Sequence, residues 1–264
     1  MKTFSSICND EITYNHLSYP TPKSDSKNFV QHVHNKYEII YFLNGDATYI
    51  IEGKSYKLKP YDLIIIKPSK YHCIQIDGDV EYERYNILFP TEMVGEGLLS
   101  KVKKGTDVFN CQGNTLINEL FRKMDTYSDL GEDVIIDLLP GLTKELFYNL
   151  VNLFDENISE PVKMSMVVSK AIKYINTNLF TIDNIEEISR VLFITPTYFF
   201  RIFKDEMKIS PKKYITVKRL MEAQKRIHAG EKPTDVYLQC GFNTYTAFYK
   251  RYINYFGTPP SKSL

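Results

Sequence analysis

The sequence predicts a two-domain α+β chain: an N-terminal antiparallel β-barrel with packed helices, then a C-terminal all-α bundle holding two helix-turn-helix motifs. Three observations carry that prediction. Short β-branched and aromatic runs fill residues from about 29 to 89, and apolar residues at helical spacing replace them from about 114 onward. The last hundred residues also contain a near-repeat. Thr197-Tyr-Phe-Phe-Arg-Ile-Phe203 recurs as Thr246-Ala-Phe-Tyr-Lys-Arg-Tyr252, each copy followed at the same distance by Ser210-Pro211 or Pro259-Pro260. Each copy reads as a short helix with aromatics on one face and a cation beside them.

The net charge of +1 over 264 residues hides a split. Residues 165–264 hold 16 Lys and Arg against 8 Asp and Glu, whereas residues 1–164 hold 17 against 24. A basic third on an acidic two-thirds suggests a polyanion-binding module joined to one that avoids polyanions, although an ordinary solvated surface has the same look. The length permits two domains of roughly 100 to 200 residues. Cys8, Cys73, Cys111 and Cys240 are scattered without Cys-x-x-Cys spacing, which disfavours a disulfide framework or zinc cluster and reads as packed thiols in a reducing cytosol. The N-terminus has no apolar signal core, and no run approaches the roughly 20 apolar residues of a membrane span. The expectation is a cytoplasmic protein with no membrane partner.

In the barrel, the strands are expected at Glu38–Leu43, Ala47–Ile51, Ser55–Leu58, Leu63–Ile66 and Arg84–Phe89. Turn signals at Asn44-Gly45, Gly53-Lys54 and Asp77-Gly78 separate them. His32-x-His34-x-x-x-Glu38, with Gly45 beyond it, resembles the first motif of the cupin barrels. Pro60-Tyr-Asp62 and Pro68-Ser-Lys-Tyr-His72 resemble the second, although Tyr61 stands where such barrels often carry Gly. That resemblance implies that His32, His34, Glu38 and His72 converge. Three readings stay open for them: a pocket for a small molecule, a divalent transition metal, or histidines that merely support the fold. No cofactor is assigned.

Past Phe89 the spacing becomes helical. Leu116, Leu120 and Met124 form one apolar stripe, and Ile135, Leu138, Leu139, Leu142, Leu146, Leu150 and Leu153 a longer one. Pro140-Gly141 is expected to kink or break that second run. The pair is expected over about 114–154, packed on the barrel and offering a dimer face. Residues 155–164, polar and ending near Pro161-Val162, read as a linker.

In the basic part, Val168, Ala171, Ile172, Ile175 and Leu179 give a first helix. Asp183 with Glu186 forms a box-like cap for a second, carrying Ile185, Ile188 and Leu192. Thr195-Pro196 caps a third to about Met207, and Ser210-Pro211 a long helix to about Ala229. A second pair follows, Thr234 to Cys240 and Thr244 to Tyr255, turned by Gly241-Phe242. Two short helices joined by a tight turn make a helix-turn-helix, whose second helix enters the major groove.

Phe199-Phe-Arg-Ile-Phe-Lys204, Ser210-Pro211, Tyr214, Arg219, Ala223, Gly241-Phe242, Phe248 and Gly257-Thr-Pro259 resemble the AraC/XylS-type transcription regulators, in register across 165–264. The cupin-like barrel is similar to the sensor half common in that family. The resemblance implies an effector-sensing and dimerisation domain over 1–154 and a DNA-binding domain over 165–264. It implies promoter double-stranded DNA, a small-molecule effector, RNA polymerase and a second copy of the chain as partners. It also implies that Thr197, Tyr198, Phe200, Arg201 and Lys204 in the first reading helix, and Thr244, Tyr245, Thr246, Tyr249 and Lys250 in the second, meet DNA. Arg201 suits a guanine, and Lys204 and Lys250 suit phosphates. Phe200 either touches a thymine methyl or packs on the supporting helix, whereas Phe199, Phe203, Phe248 and Tyr252 read as core.

Three positions depart from the family pattern. Lys208 stands where a turn glycine is usual, while Ser189 and Tyr237 stand where each motif has a small alanine. The expected function is an activator of transcription without enzymatic activity, controlled by a small molecule for which sugar-responsive members suggest a carbohydrate. The competing reading is a metal-dependent cupin enzyme with a helical appendage.

Overall fold

The structure is a computed structural model that describes residues 2–9, 11–22, 32–102, 107–153, 158–161 and 164–262. It divides into two compact units, Met1–Val162 and Lys163–Leu264. The expected barrel start at 29–31 lies outside the described residues, as do 155–157, 162 and 163 of the expected linker.

The first unit runs β1 (Lys2–Cys8), β2 (Thr13–Tyr19), β3 (Tyr37–Asn44), β4 (Ala47–Ile51), β5 (Lys54–Lys57), β6 (Asp62–Ile66), β7 (His72–Ile76) and β8 (Tyr82–Phe89). Two short helices follow, α1 (Thr91–Val94) and α2 (Glu96–Leu99), then β9 (Val108–Asn110), α3 (Thr115–Leu130) and α4 (Glu132–Val151). The strands form two antiparallel sheets, ordered β1-β2-β8-β3-β6-β9 and β5-β4-β7. Alternation splits β3 and β8 between two cores, because successive side chains leave opposite faces of a strand. Ile40, Phe42 and Tyr82 point inward with Tyr49, Tyr56, Ile64 and Ile74. Ile39, Tyr41, Tyr85, Ile87 and Phe89 point outward and are covered by α3 and α4.

The barrel therefore begins earlier than the sequence predicts. β1 and β2 precede residue 29 and escape a search for apolar runs because their buried positions include Ser5, His16 and Ser18. These polar groups are tolerated because they are bonded: Asp125 of α3 accepts from Tyr14, Tyr85 and Ser5 and holds His16 Nδ1 at 2.8 Å. α4 runs through Pro140 unbroken, burying Ile135, Leu139, Leu146, Phe147 and Leu150. The break falls instead at Gly131, whose φ of 149° lets the chain leave α3 and enter α4 directly. The α3 stripe is Ile117, Leu120, Phe121 and Met124; Leu116 is exposed, and on α4 so is Leu138. Part of the expected linker is not a free connector, since Ile158 bridges Phe109 and Ser159 donates to the Val108 carbonyl.

The second unit contains α5 (Met166–Thr177), α6 (Ile185–Val191), α7 (Pro196–Met207), α8 (Pro211–His228), α9 (Pro233–Gln239) and α10 (Tyr245–Phe256). Its boundaries follow side-chain caps: Ser165, Asn184, Thr195, Ser210 and Thr244 each accept from a backbone N–H three residues on. The box on α6 sits one residue later than expected. Asn184 is the cap, and Glu187, not Glu186, reaches back to the Asp183 N–H. Among the described residues, no helix is long and apolar enough to cross a membrane.

Candidate functional site

α7 separates its residues cleanly by face. Phe199, Phe203 and Met207 are buried, whereas Thr197, Phe200, Arg201 and Lys204 are exposed at i, i+3, i+4 and i+7. A 3.6-residue period places those four on one stripe. α10 repeats the pattern with Phe248 and Tyr252 buried and Thr246, Tyr249 and Lys250 exposed. The position matching Lys204 is Ile253, so the second stripe lacks that cation. Phe200 is 46% exposed, which leaves its ring free to meet a ligand face; Tyr198 lies beside Arg201, whose guanidinium carbon sits 5.7 Å from the ring centroid. Tyr245 differs from the rest of the expected set. It is half-buried, with its ring 5.7 Å from Tyr237 and 5.9 Å from Phe248. Thr244 is exposed and spends its hydroxyl oxygen on the Ala247 N–H.

The departures from the family pattern have local solutions. Lys208 adopts the left-handed conformation at φ 56°, at a cost of about 1 to 2 kcal/mol relative to glycine. Ser189 is buried and returns its hydroxyl to the Ile185 carbonyl. Tyr237 is accommodated by stacking edge-on against Tyr245. The two turns correspond bond for bond: Phe193 N–H to Arg190 and Ile194 N–H to Ser189 in one, Gly241 N–H to Leu238 and Phe242 N–H to Tyr237 in the other. Phe193 thus takes the left-handed position that Gly241 fills in the second copy, and its ring is 95% exposed.

Arg219, on the connecting helix α8, holds the two motifs together. Its Nε donates to the Leu179 carbonyl at 2.8 Å, Nη2 to Ile182 at 2.7 Å and Nη1 to Gly241 at 2.7 Å. The first two carbonyls precede α6 and the third lies in the turn between α9 and α10, so one guanidinium fork bridges both helix-turn-helix motifs. Gly241 is required beside it, because an added Cβ would lie 2.6 Å from the Phe180 carbonyl oxygen and 2.8 Å from Arg219 Cζ.

In the barrel, His32, His34, Glu38 and His72 come together, each offering one ligand atom within 4.8 Å of the others. The register explains the meeting. β3 carries Glu38 inward, and the bridge from His32 to His72 brings the preceding segment alongside β7. His34 Nδ1 lies 2.9 Å from the Lys36 carbonyl and His72 Nδ1 2.8 Å from the Lys70 carbonyl. A carbonyl only accepts, so both Nδ1 atoms carry a proton; each Nε2 then holds an inward lone pair in the neutral ring and donates to Glu38 in the charged ring. His34 Nε2 is 3.1 Å and His72 Nε2 2.9 Å from Glu38 Oε2, and His72 Nε2 is 2.9 Å from His32 Nε2. Burial raises the Glu38 carboxyl, but its bonds to His34 and His72 hold it well below the usual carboxylate range. Its Oε1 accepts from Asn86. Imidazole and carboxylate donors oriented by backbone carbonyls fit a divalent transition ion. Tyr61, in the position where cupin barrels carry Gly, has a φ of 71°, so the turn is kept without the glycine.

Two residues of this chamber were not singled out in the sequence. Asn86 and Arg84 lie on the inward face of β8 with Tyr82; the signal was polar residues alternating with the outward Tyr85, Ile87 and Phe89. Arg84 Cζ lies 5.8 Å from the Tyr82 ring centroid, and its Nε is buried with no hydrogen-bond partner among the described residues.

Comparison with known proteins accounts for both units. The family model of the AraC-like ligand binding domain matches residues 18–137, and that of a helix-turn-helix domain matches residues 188–264. The raffinose operon transcriptional regulatory protein RafR of Pediococcus pentosaceus is 24% identical over 87% of this chain and 84% of its own. The lactose operon transcription activator of Staphylococcus xylosus is 26% identical over 80% of this chain and 77% of its own. The probable transcriptional regulator LumQ of Photobacterium leiognathi is 26% identical over 60% of this chain, and that match spans 62% of its own length. With the ligand-domain match on the barrel and the helix-turn-helix match on the paired motifs, the chain belongs to the AraC-type transcription regulators.

Proposed function

We propose that the chain activates transcription by placing α7 and α10 in successive major grooves of promoter DNA under the control of a small molecule held in the barrel. The observation that carries this reading is the repeated stripe, exposed at Thr197, Phe200, Arg201 and Lys204 and again at Thr246, Tyr249 and Lys250, each backed by a fully buried aromatic face. The first stripe supplies most of the specificity: Arg201 forks onto a guanine, Phe200 meets a thymine methyl and Lys204 clamps a phosphate. In the second, Lys250 holds phosphate, Thr246 and Tyr249 face the groove, Thr244 serves as the cap and Tyr245 as packing. Footprinting on promoter fragments from the source genome tests it. Protection over two adjacent grooves on one face is expected, and no protected region at moderate salt defeats the proposal.

The effector site is the chamber of His32, His34, Glu38 and His72, and the raffinose and lactose operon regulators among the relatives favour a carbohydrate. The inward lone pairs favour a divalent ion at these four residues, where it would offer a Lewis-acid coordination point to an effector oxygen. Metal analysis of the purified protein is expected to find about one equivalent of a divalent transition ion, lost in His34→Ala. A metal-free protein of unchanged melting temperature after chelation removes the ion from the proposal. The regulator acts in the cytoplasm as a homodimer that engages RNA polymerase and has no enzymatic activity. Exposed Leu130, Leu138 and Tyr148 on α3 and α4 favour that helix pair as the dimer face.

A further inference from the structure

We infer that the effector carries an anionic oxygen group, a carboxylate or a phosphate, that pairs with Arg84. This rests on the reading of the barrel chamber as the effector site. Arg84 projects from β8 into the space between the two sheets, flanked on its own strand by Tyr82 and Asn86. A guanidinium stays charged at every physiological pH and presents five donors in a planar fork. Here Nε is shut away from water, has no hydrogen-bond acceptor and makes no ion pair among the described residues. Its Cζ lies 5.8 Å from the Tyr82 ring centroid, and Tyr82, Glu38, Tyr49 and Tyr19 bear on its charge without closing an ion pair among the described residues. A buried cation left so poorly matched is costly unless something else completes it.

The carboxylate that shares the chamber does not complete it. Glu38 faces His34 and His72 with Oε2, accepts from Asn86 at Oε1, and makes no ion pair with Arg84. The surrounding phenols do not either: burial pushes the Tyr49 hydroxyl well above its ordinary value, and Tyr82 is raised to about 12, so both are neutral near pH 7. The charge balance of the chamber is Arg84 against Glu38, and a divalent ion at the histidine cluster leaves a surplus of positive charge inside apolar walls. Such a chamber recruits an anion.

Arg84 also lies close to the histidine cluster along the strand. Arg84 stands two residues from Asn86, about 7 Å along the strand, and Asn86 itself bonds the Glu38 of the cluster. Tyr49 stacks on His72 with ring centroids 6.3 Å apart and extends the same wall. An acid group of the ligand pairs with the guanidinium, whereas a neutral sugar leaves Nε without an acceptor.

Calorimetric titration of the full chain with galacturonate, glucose 6-phosphate, galactose and glucose tests this. At least one acid is expected to bind while its neutral counterpart does not, and the better acid distinguishes carboxylate from phosphate. Arg84→Gln is expected to weaken that acid about ten- to a hundredfold, with metal content and operator binding unchanged, and Arg84→Lys is expected to lose less. Equal binding of acids and neutral sugars, undiminished binding by Arg84→Gln, or no binding of either acid at millimolar concentration each overturns it. Should Arg84→Gln fail to fold, the comparison of acids with neutral sugars on the unmodified chain decides alone. Operator footprints on the same preparations without ligand separate a failure of this inference from a failure of the DNA-binding reading.

Discussion

Replacing Arg219 by Met tests whether one side chain sets the geometry of the two reading motifs. Methionine keeps most of the aliphatic stem and removes three hydrogen bonds, to the carbonyls of Leu179, Ile182 and Gly241. A bond from a charged donor contributes about 1.5 to 3 kcal/mol when well shielded. Arg219 is half-buried, and water can replace part of each bond, so about 1 kcal/mol apiece and about 3 kcal/mol in total is the working figure. For a unit of this size each kcal/mol moves the midpoint by roughly 4 to 8 °C, giving a drop on the order of 15 °C. Thermal unfolding of the full chain, followed by circular dichroism, reads that loss. The functional consequence is sharper than the stability one. With the bridge gone, the two motifs no longer share a fixed separation, and affinity for a two-groove operator falls toward that for a single half-site. A transition within 2 °C of the unmodified protein together with an undiminished preference for the two-groove site would refute the bridge. Gly241→Ala is the companion test, expected to weaken the same preference because its Cβ enters the space of Arg219 and of the Phe180 carbonyl.

Further outcomes concern the DNA stripe, the turn and the barrel. Arg201→Ala is expected to cost about 1 to 3 kcal/mol and relax specificity at one base, and Lys204→Ala to weaken all sequences alike and lower the salt slope by about 1; the reverse assignment in a binding-site selection would overturn it. Lys208→Gly relieves a left-handed lysine at φ 56° and is expected to raise stability by about 1 kcal/mol, read as an increase in melting temperature. The His16 and Asp125 pair gives the barrel unit a pH profile with two limbs. Burial opposes its charge, but Asp125 and Glu83 raise His16 above its ordinary value; the bonds from His16, Tyr14 and Tyr85 lower Asp125 despite burial. The His16 contribution is complete below about 6.5 and fades as pH rises through its elevated value; that of Asp125 is complete above about 3.9 and fades as pH falls through its depressed one. Stability is expected to peak between those limits, and a His16→Phe variant that keeps the alkaline limb of the melting profile would show that His16 does not supply it.

The helices of the DNA-binding unit were legible almost to the residue and β3, β4, β5, β6 and β8 to within two, whereas β1, β2, β7 and β9 were not expected. Thr195-Pro196, Ser210-Pro211 and Thr244 mark helix starts through bonds that reach three residues, so the local sequence contains the whole interaction. The α6 box moved by one residue because Asp183 and Asn184 both can cap, and the fold chose the latter. β1 and β2 bury polar residues whose partners lie across the sheet and on α3, more than a hundred residues away for Asp125, so no local pattern announces them.

By itself the sequence determined the period of each element, the buried aromatic faces of α7 and α10, and the duplication that makes them a pair, all of which depend on neighbours within one or two turns. The cupin resemblance already implied that Glu38 meets His72; only the tertiary structure decided that Arg84 faces the same chamber, its Nε without a hydrogen-bond partner among the described residues, and that Arg219 joins two motifs through three backbone carbonyls. Those meetings depend on strand register and helix packing between distant segments: a shift of one residue would turn Glu38 or Arg84 to the opposite face of its strand and swing Arg219 about 100° around its helix.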